Sequence, residues 1–484
     1  SEVITPNNPP TGWGILGDIY SRGWQRTDNT NNFLSFFATF AYSFKNRYVV
    51  NANVRNDASN VFGQDINHRI DPTYSFGLSW RASEEAFFQK HLKWITTLNF
   101  RGTFGIQGNA LTRESPELIL SQQGVQPGYN RYFSTIGQIP NPYLSWERTR
   151  NWNFGVDLEL FRMFYMNLEY YTRRSNAVIT VDLPFEYGID DMKRNGGIIY
   201  NRGIEYTLSF TPIQKRDFSL NINLNASKNW NKGGETKIDR NTAMYLRGGS
   251  TQILKEGYPL SAFWSYSFAG LDGSNGKPMF NYVEVPDEEK SKSIDPTTYL
   301  VYSGETEPYF TGGLGFSFRY KSLSLNTSFS LLLGSKKRLP SPYSDFQGSG
   351  SMMPDPTKNV NRDLLNRWQK PGDEVYTNIP GLPTWPIEIG WTLPNTDSAE
   401  SAIEMWEKSD AMVVSGSFLR CRNIGLSWQM KKEWCDKIHA KNLAINFNMD
   451  NIFVIASKRF NGFDPELENS IMPRSFSLGL NIGF

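Results

Sequence analysis

Large apolar residues alternate with small or polar ones along almost the whole chain, most plainly in its last ten residues, SFSLGLNIGF. There Phe476, Leu478, Leu480, Ile482 and Phe484 alternate with Ser475, Ser477, Gly479, Asn481 and Gly483. Period two places the two classes on opposite faces of a sheet. The pattern recurs at Leu34–Phe44, Tyr48–Arg55, Tyr74–Arg81, Leu98–Gln107, Trp152–Leu160, Phe164–Thr172, Ile204–Phe210, Phe218–Trp230, Leu314–Tyr320, Leu323–Leu333, Ile424–Met430 and Leu443–Asp450. With the terminal segment this predicts thirteen strands, and the question is whether their apolar faces meet a protein core or lipid.

The polar faces carry Arg81, Arg101, Asp157, Glu159, Glu169, Glu205, Asn221, Asn223, Asn225 and Arg319. A sandwich would expose such residues too, but its strands are shorter and its turns fall every 8 to 12 residues or so. Strands this long, each with several large apolar groups, predict an all-β transmembrane antiparallel barrel. The chain holds no apolar run of the roughly 20 residues a membrane-crossing helix needs. A barrel needs only about 9 to 11 residues per strand, half of them polar, so a hydrophobic share of 39 % does not oppose it. The aromatic share of 14 % fits girdles at two lipid interfaces.

Loop lengths alternate as well. Tight turns at Asn46–Arg47, Lys321–Ser322 and Thr211–Asp217 alternate with long connections at Gly108–Glu147, Ser175–Arg202 and Gly334–Leu419. Bacterial outer-membrane barrels have short periplasmic turns and long extracellular loops. The last strand then ends in the periplasm, and counting back places Ser1 in an extracellular loop. Thr251–Leu271 has room for one more hairpin, giving fifteen strands. Either count is odd, so an odd number of strands is expected upstream of Ser1. In the long 334–419 loop, Asp355–Pro356 opens a predicted helix with Val360, Leu364, Leu365 and Trp368 on one face. Asp397 with Glu400 resembles a capping box ahead of Ile403 and Trp406.

Chemical motifs are few. No phosphate-binding GxxxxGK[ST] or nucleophile GxSxG sequence is present, and with 50 basic and 48 acidic residues intermixed nothing points to nucleic acid. His68, His91 and His439 are scattered, and Cys421 and Cys435 read as isolated thiols; no metal or cofactor is expected. Asp397, Glu400, Glu404 and Glu407 read as the solvated face of a helix rather than a glycosidase pair. Asp272–Lys277 reads as a turn, since it lacks the later bidentate acid of a calcium loop. Tyr129, Tyr132, Tyr343, Trp385 and Trp391 are the candidate ligand-binding residues: aromatic loop side chains can stack on sugar rings or grip a peptide, with loop packing as the alternative.

Several stretches, in order, resemble the SusC/RagA-type TonB-dependent transporters of Bacteroidota outer membranes: RNDASNVFG from Arg55, NPYLSWERTRNWNF from Asn141, NGGIIYNRGIEYTL from Asn195, and EGYPLSAFWSYSFAGLDGSNGKP from Glu256. NRWQKPGDE from Asn366, SGSFLRCRNIGLSW from Ser415 and NGFDPELENS from Asn461 continue the series. The resemblance implies the C-terminal 13 to 15 strands of a 22-stranded plugged barrel, with plug, TonB-contacting segment and signal peptide preceding Ser1. It implies a SusD-like surface lipoprotein as lid, TonB-ExbB-ExbD as energy source, and oligosaccharide or oligopeptide as cargo, with transporter-lipoprotein pairs able to dimerise. No enzymatic step is implied. Phe476, Leu478, Leu480, Ile482 and the terminal Phe484 resemble the signal read by the outer-membrane assembly machinery. A passive porin and a surface adhesin are the readings of another class.

Overall fold

The computed structural model describes residues 2–3, 25–26, 32–59, 70–109, 118–126, 128–129, 131–141, 143–183, 185–189, 191–234, 246–248, 254–281, 296–343, 357, 359–382, 402–467 and 470–484. A thirteen-stranded antiparallel sheet dominates it, each strand pairing with its neighbours in chain order. The strands are β1 (Phe33–Phe44), β2 (Tyr48–Ser59), β3 (Ile70–Arg81), β4 (Ile95–Asn109), β5 (Glu147–Leu160), β6 (Phe164–Asp182) and β7 (Asp191–Gln214). They continue as β8 (Phe218–Gly233), β9 (Phe310–Tyr320), β10 (Leu323–Leu333), β11 (Phe418–Gln429), β12 (Asn442–Ile455) and β13 (Ser475–Gly483). Each alternating segment read from the sequence falls on one of them. Alternation succeeds here because, among the described residues, the chain covers little of either face away from the loop end of β10 and β11, so both faces keep their chemistry along most of each strand.

The core is correspondingly not under the sheet. Phe36, Phe76, Phe154 and Leu478 project from the apolar face at 67, 44, 51 and 78 % exposure. An unbroken apolar face of this size marks a surface that another apolar phase covers. Aromatic pairs line its short-turn margin: Trp80 stacks on Phe100 at 5.6 Å, Trp94 on Phe161 at 5.8 Å, and Trp428 meets Trp434 edge-on at 6.0 Å. In the three-residue turn Phe161–Met163 between β5 and β6, Phe161 and Arg162 have φ of 53° and 56°, a left-handed pair that matches strand twist, and the Met163 N–H donates to the Leu160 carbonyl.

Buried side chains gather instead in the connections at the other end. One cluster holds Leu246, Trp264, Tyr266, Leu300 and Met405; the other holds Tyr343, Leu364, Ile403, Trp406 and Met412. The helix α1 (Ala402–Glu407) joins them, giving Met405 to the first and Ile403 with Trp406 to the second. Ile403 and Trp406, which follow the expected capping box, both lie on this helix and are buried in the second cluster, while Asp397 and Glu400 lie outside the described residues.

Several loop expectations need correction. Thr251–Leu271 adds no hairpin to the large sheet: Ala262–Tyr266 pairs with Leu300–Glu305, and Phe268–Leu271 pairs with Pro278–Phe280, in separate two-stranded sheets. Ala262–Tyr266 is buried along its whole length among loop residues, which is why its composition imitates a membrane strand. The long Ser175–Arg202 connection is mostly strand, because β6 and β7 stay paired out to Asp182 and Asp191. Gly108–Glu147 contains the hairpin Ile119–Gln126/Arg131–Gln138. Instead of an α-helix, a 3-10 turn spans Arg362–Asn366, with Leu364 buried but Leu365 71 % exposed.

Candidate binding surfaces

The polar face of the sheet is organised by hydrogen bonds between strands. Arg101 on β4 reaches across β5 to Asp157 at 3.3 Å and to Glu169 on β6 at 2.9 Å. Gly155 leaves room for the crossing, since a Cβ there would lie 3.1 Å from the guanidinium and press it aside by a few tenths of an ångström. Asn167 donates to Asp157 and Asn153 to Glu169. Similar contacts repeat along the face: Arg55 and Ser35 hold Asp57, Asn221 donates to Thr211, Asn231 to Asn201, and Asn423 to Asp450. A crevice of about 580 Å³ opens in this face, walled by Thr207, Asn225, Ser227, Thr311, Arg422 and Glu466. Amides, hydroxyls and paired charges in such density suit a polar, multiply hydrogen-bonding ligand better than an apolar one.

A second concavity of about 280 Å³ lies in the loops, between the β10–β11 and β12–β13 connections. Trp406, Met412, Phe460 and Phe463 supply apolar lining, and Asp363 and Arg459 supply charge. Asn461 bridges the two connections by donating to Asp363 at 2.6 Å, and Arg459 donates to the carbonyls of Val413 and Ala411. Tyr376, at 89 % exposure, stands at the margin.

The aromatic candidates separate in the structure. Tyr129 sits in the turn of the Ile119–Gln126/Arg131–Gln138 hairpin and is 75 % exposed, and Tyr132 lies on its second strand opposite Val125. Tyr343 is a correction: it is 1 % exposed, packs edge-on to Trp406 at 6.1 Å, and donates its hydroxyl to the Pro380 carbonyl. Burial pushes that hydroxyl well above the usual tyrosine range, and no ring face is left for a ligand. Trp385 and Trp391 lie outside the described residues. Phe476, Leu478, Leu480 and Ile482 are exposed on the apolar face of β13, and the Phe484 carbonyl accepts from Lys441. Cys421 lies on β11 and Cys435 on the helix α2 (Lys432–Lys437); both are buried and free. Asp272 accepts from Ser274 and Asn275 within its own turn.

Among the candidate acids, burial holds the Glu407 carboxyl above the ordinary carboxylate range, with Glu404 adding to the effect and a hydrogen bond from Ser341 opposing it. A native carboxyl with a raised pKa binds its proton more tightly than the unfolded chain does. Stability of the loop cluster is therefore greatest at acid pH, falls as pH rises from the ordinary carboxylate range through the raised pKa, and levels off above it. Glu407→Gln is expected to flatten this dependence and slow local opening at neutral pH, read as hydrogen exchange of 402–412. An unchanged pH profile in the variant sinks the assignment.

A family model described as "TonB dependent receptor-like, beta-barrel" matches residues 3–336. The chain belongs to this family. Its members are outer-membrane transporters rather than enzymes. Curated relatives include the TonB-dependent receptor SusC of Bacteroides thetaiotaomicron, 25 % identical over 94 % of this chain and 44 % of its own length. TonB-dependent receptor P3 of Formosa agariphila is 23 % identical over 94 % of this chain and 46 % of its own length. Among solved structures, that of the RagAB peptide transporter aligns with a TM-score of 0.71 at 23 % identity, covering 94 % of this chain and 48 % of its own. The SusC/RagA-type resemblance read from the motifs holds, and the chain spans about half the length of the curated relatives it matches. In this fold the apolar face of the sheet is the lipid face and the polar face lines the barrel interior.

The family motifs also explain residues that sequence reasoning left without a role. SGSFLRCRNIGLSW and NGFDPELENS meet through Arg420, which is 2 % exposed and pairs with Asp464 at 2.7 Å and Glu466 at 2.8 Å. NPYLSWERTRNWNF and NGGIIYNRGIEYTL meet where Asn195 accepts from the Ser145 N–H and donates to its carbonyl. In NRWQKPGDE, the Trp368 indole donates to Glu374, and a Cβ on Gly276 of the neighbouring DGSNG turn would lie 2.3 Å from that indole. The signal that could have found these ties was the pairing of rare charged and amide residues among motifs of otherwise ordinary strand composition.

Proposed function

We propose that this chain forms the C-terminal part of a TonB-energised importer that carries nutrient oligomers across the outer membrane beneath a SusD-like lipoprotein lid, with the β13 end in the periplasm and the loop clusters outside. The observation that carries the reading is the interior face, where β8 alone presents Asn221, Asn223, Asn225, Ser227, Asn229 and Asn231 in alternation. Such a wall offers an oligosaccharide replaceable hydrogen bonds, which favour passage over tight retention. Oligopeptide cargo is the second reading, supported by the similarity to the RagAB peptide transporter.

Calorimetry on the full-length protein with its lipoprotein partner tests the two. Oligosaccharide binding without peptide binding is the expected result, and the reverse moves the assignment to peptides. Large steady currents in planar bilayers, with neither ligand bound, overturn the importer and favour the passive porin.

A further inference from the structure

The lipid face of β5–β8 changes its chemistry in levels. From the short turn upward, β5 presents Leu160, Leu158, Val156, Phe154 and Trp152, then Arg150. β6 follows the same course to Arg174, while β7 carries Arg202 level with Trp152 below Tyr200, and β8 carries Lys228 level with Phe154 before ending in Lys232. Eight residues of strand separate Leu160 from Trp152, about 27 Å of chain and roughly 20 Å of height at a tilt of ~40°. That is close to the thickness of the apolar band of an outer-membrane barrel. Arg150, Arg174 and Lys232 therefore stand where hydrocarbon gives way to headgroups, and the lower Arg202 and Lys228 can extend their side chains up to that boundary. Asp157, Glu159, Glu169 and Glu205 all lie on the opposite face of the same strands.

Register brings these cations into one row. Arg150 lies directly opposite Arg174, Arg174 opposite Tyr200, and Tyr200 opposite Lys232. One residue pair below, Arg202 lies opposite Trp230. The Arg202 guanidinium sits 5.8 Å from the Trp230 ring centre, and the Lys228 ammonium sits 4.9 Å from it on β8. All of these basic side chains are exposed. Among the described residues Arg150, Arg174, Arg202, Lys228 and Lys232 have no carboxylate within ion-pair distance. Arginines facing each other across strands about 5 Å apart repel. An anion seated between them removes the repulsion, and a guanidinium pair matches the oxygens of a phosphate in geometry and charge.

We infer that the row Arg150, Arg174, Tyr200 and Lys232 is a binding site for the phosphate of a membrane lipid whose chains lie along Trp152 and Trp230. A lipid is the occupant because the row continues an apolar and aromatic surface without interruption. The phosphate accepts from the two guanidiniums and the ammonium, with the Tyr200 hydroxyl as a further donor, while Arg202 and Lys228, held over Trp230, form the site's lower margin. The site lies outside the transport path.

The inference rests on the reading of this face as lipid-contacting, and the experiment separates the two. Full-length protein in detergent is offered dioleoylphosphatidic acid or dioleoylphosphatidylcholine and examined by native mass spectrometry. Preferential retention of phosphatidic acid is expected, weakened at least about tenfold in R150A/R174A/K232A, each cation being worth about a factor of five at a membrane surface. The conservative Arg174→Lys, which keeps the charge, is expected to retain most of the binding and guards against a folding artefact. Equal retention of both lipids, equal binding by the triple variant, or displacement by millimolar inorganic phosphate overturns the proposal. If the protein does not float with phosphatidylcholine vesicles, the lipid-facing reading itself falls; flotation without lipid preference overturns the site alone.

Discussion

Arg420→Ala is expected to destabilise the folded protein by about 3–5 kcal/mol, the range for removing one partner of a buried ion pair. Arg420 and Asp464 have side chains only 3 % and 4 % exposed, and the guanidinium also contacts Glu466 and, at 3.2 Å, the Met472 sulfur. Removing the cation leaves Asp464 buried with two oxygens that had accepted from Arg420 at 2.7 and 2.8 Å. Asp464 also organises its own turn, where its N–H donates to Ser470 and its carboxylate accepts from the Glu466 N–H. The loss therefore spreads along the β12–β13 connection. Thermal unfolding of R420A, D464N and the double variant, compared as a cycle, measures the coupling. A single-variant loss below about 1 kcal/mol would show that the pair behaves as an exposed one. Because the tie lies beyond the membrane-spanning part of β11, the assembled barrel should still form in R420A.

Trp406→Ala should cost about 3–5 kcal/mol in the loop cluster, from lost burial and the cavity left behind. Trp406 is 1 % exposed, meets Tyr343 edge-on, and donates its indole N–H to the Asn378 carbonyl at 2.8 Å. Among the described residues its packing partners belong to the loop cluster, so the effect should be local. Hydrogen exchange of 359–382 and 402–412 is expected to accelerate by at least a hundredfold, as about 3 kcal/mol implies, while β1–β13 remain protected. Equal acceleration throughout the sheet would show that the loop core and the barrel unfold as one unit.

The strands were legible because a sheet flanked by lipid and water obeys one local rule along its whole length. β8 illustrates it, with Leu220, Ile222 and Leu224 on one face and Asn221, Asn223 and Asn225 on the other. The loops obeyed no such rule. Ala262–Tyr266 is buried on both faces, so its alternation is lost and its aromatics resemble a lipid girdle. Tyr343 looks like an exposed ligand platform in sequence, but residues 37 and 63 positions later cover it. Arg420 and Asp464 stand 44 residues apart and have no periodicity to connect them. Their relation appears only when β11 and the β12–β13 connection fold together. The polar interior was foreseen as a face, whereas its crevice depends on side-chain packing that pattern cannot reveal.

The chain-order pairing of the large sheet has a kinetic consequence. Nearly every strand can dock on the one made just before it or just after it, so most closures span short separations and contact order stays low. Two joins are exceptions: β8 to β9, where Lys228 pairs with Phe310, and β10 to β11, where the Gly334 N–H that donates to Ser417 closes 83 residues. Closure entropy grows only logarithmically, about 0.6 kcal/mol per doubling of length, but the search must find one register among several similar apolar strands. Lys336–Arg338 pairs with Val413–Ser415 immediately beyond that junction, and Arg338 donates onward to the carbonyls of Arg247 and Trp264. This short ladder can close outside the bilayer and then hand a fixed register to the strands below it. A loop folded early would act as the template for one of the two longest-range seams of the wall, so variants that weaken Lys336–Arg338 should delay assembly more than they destabilise the finished barrel.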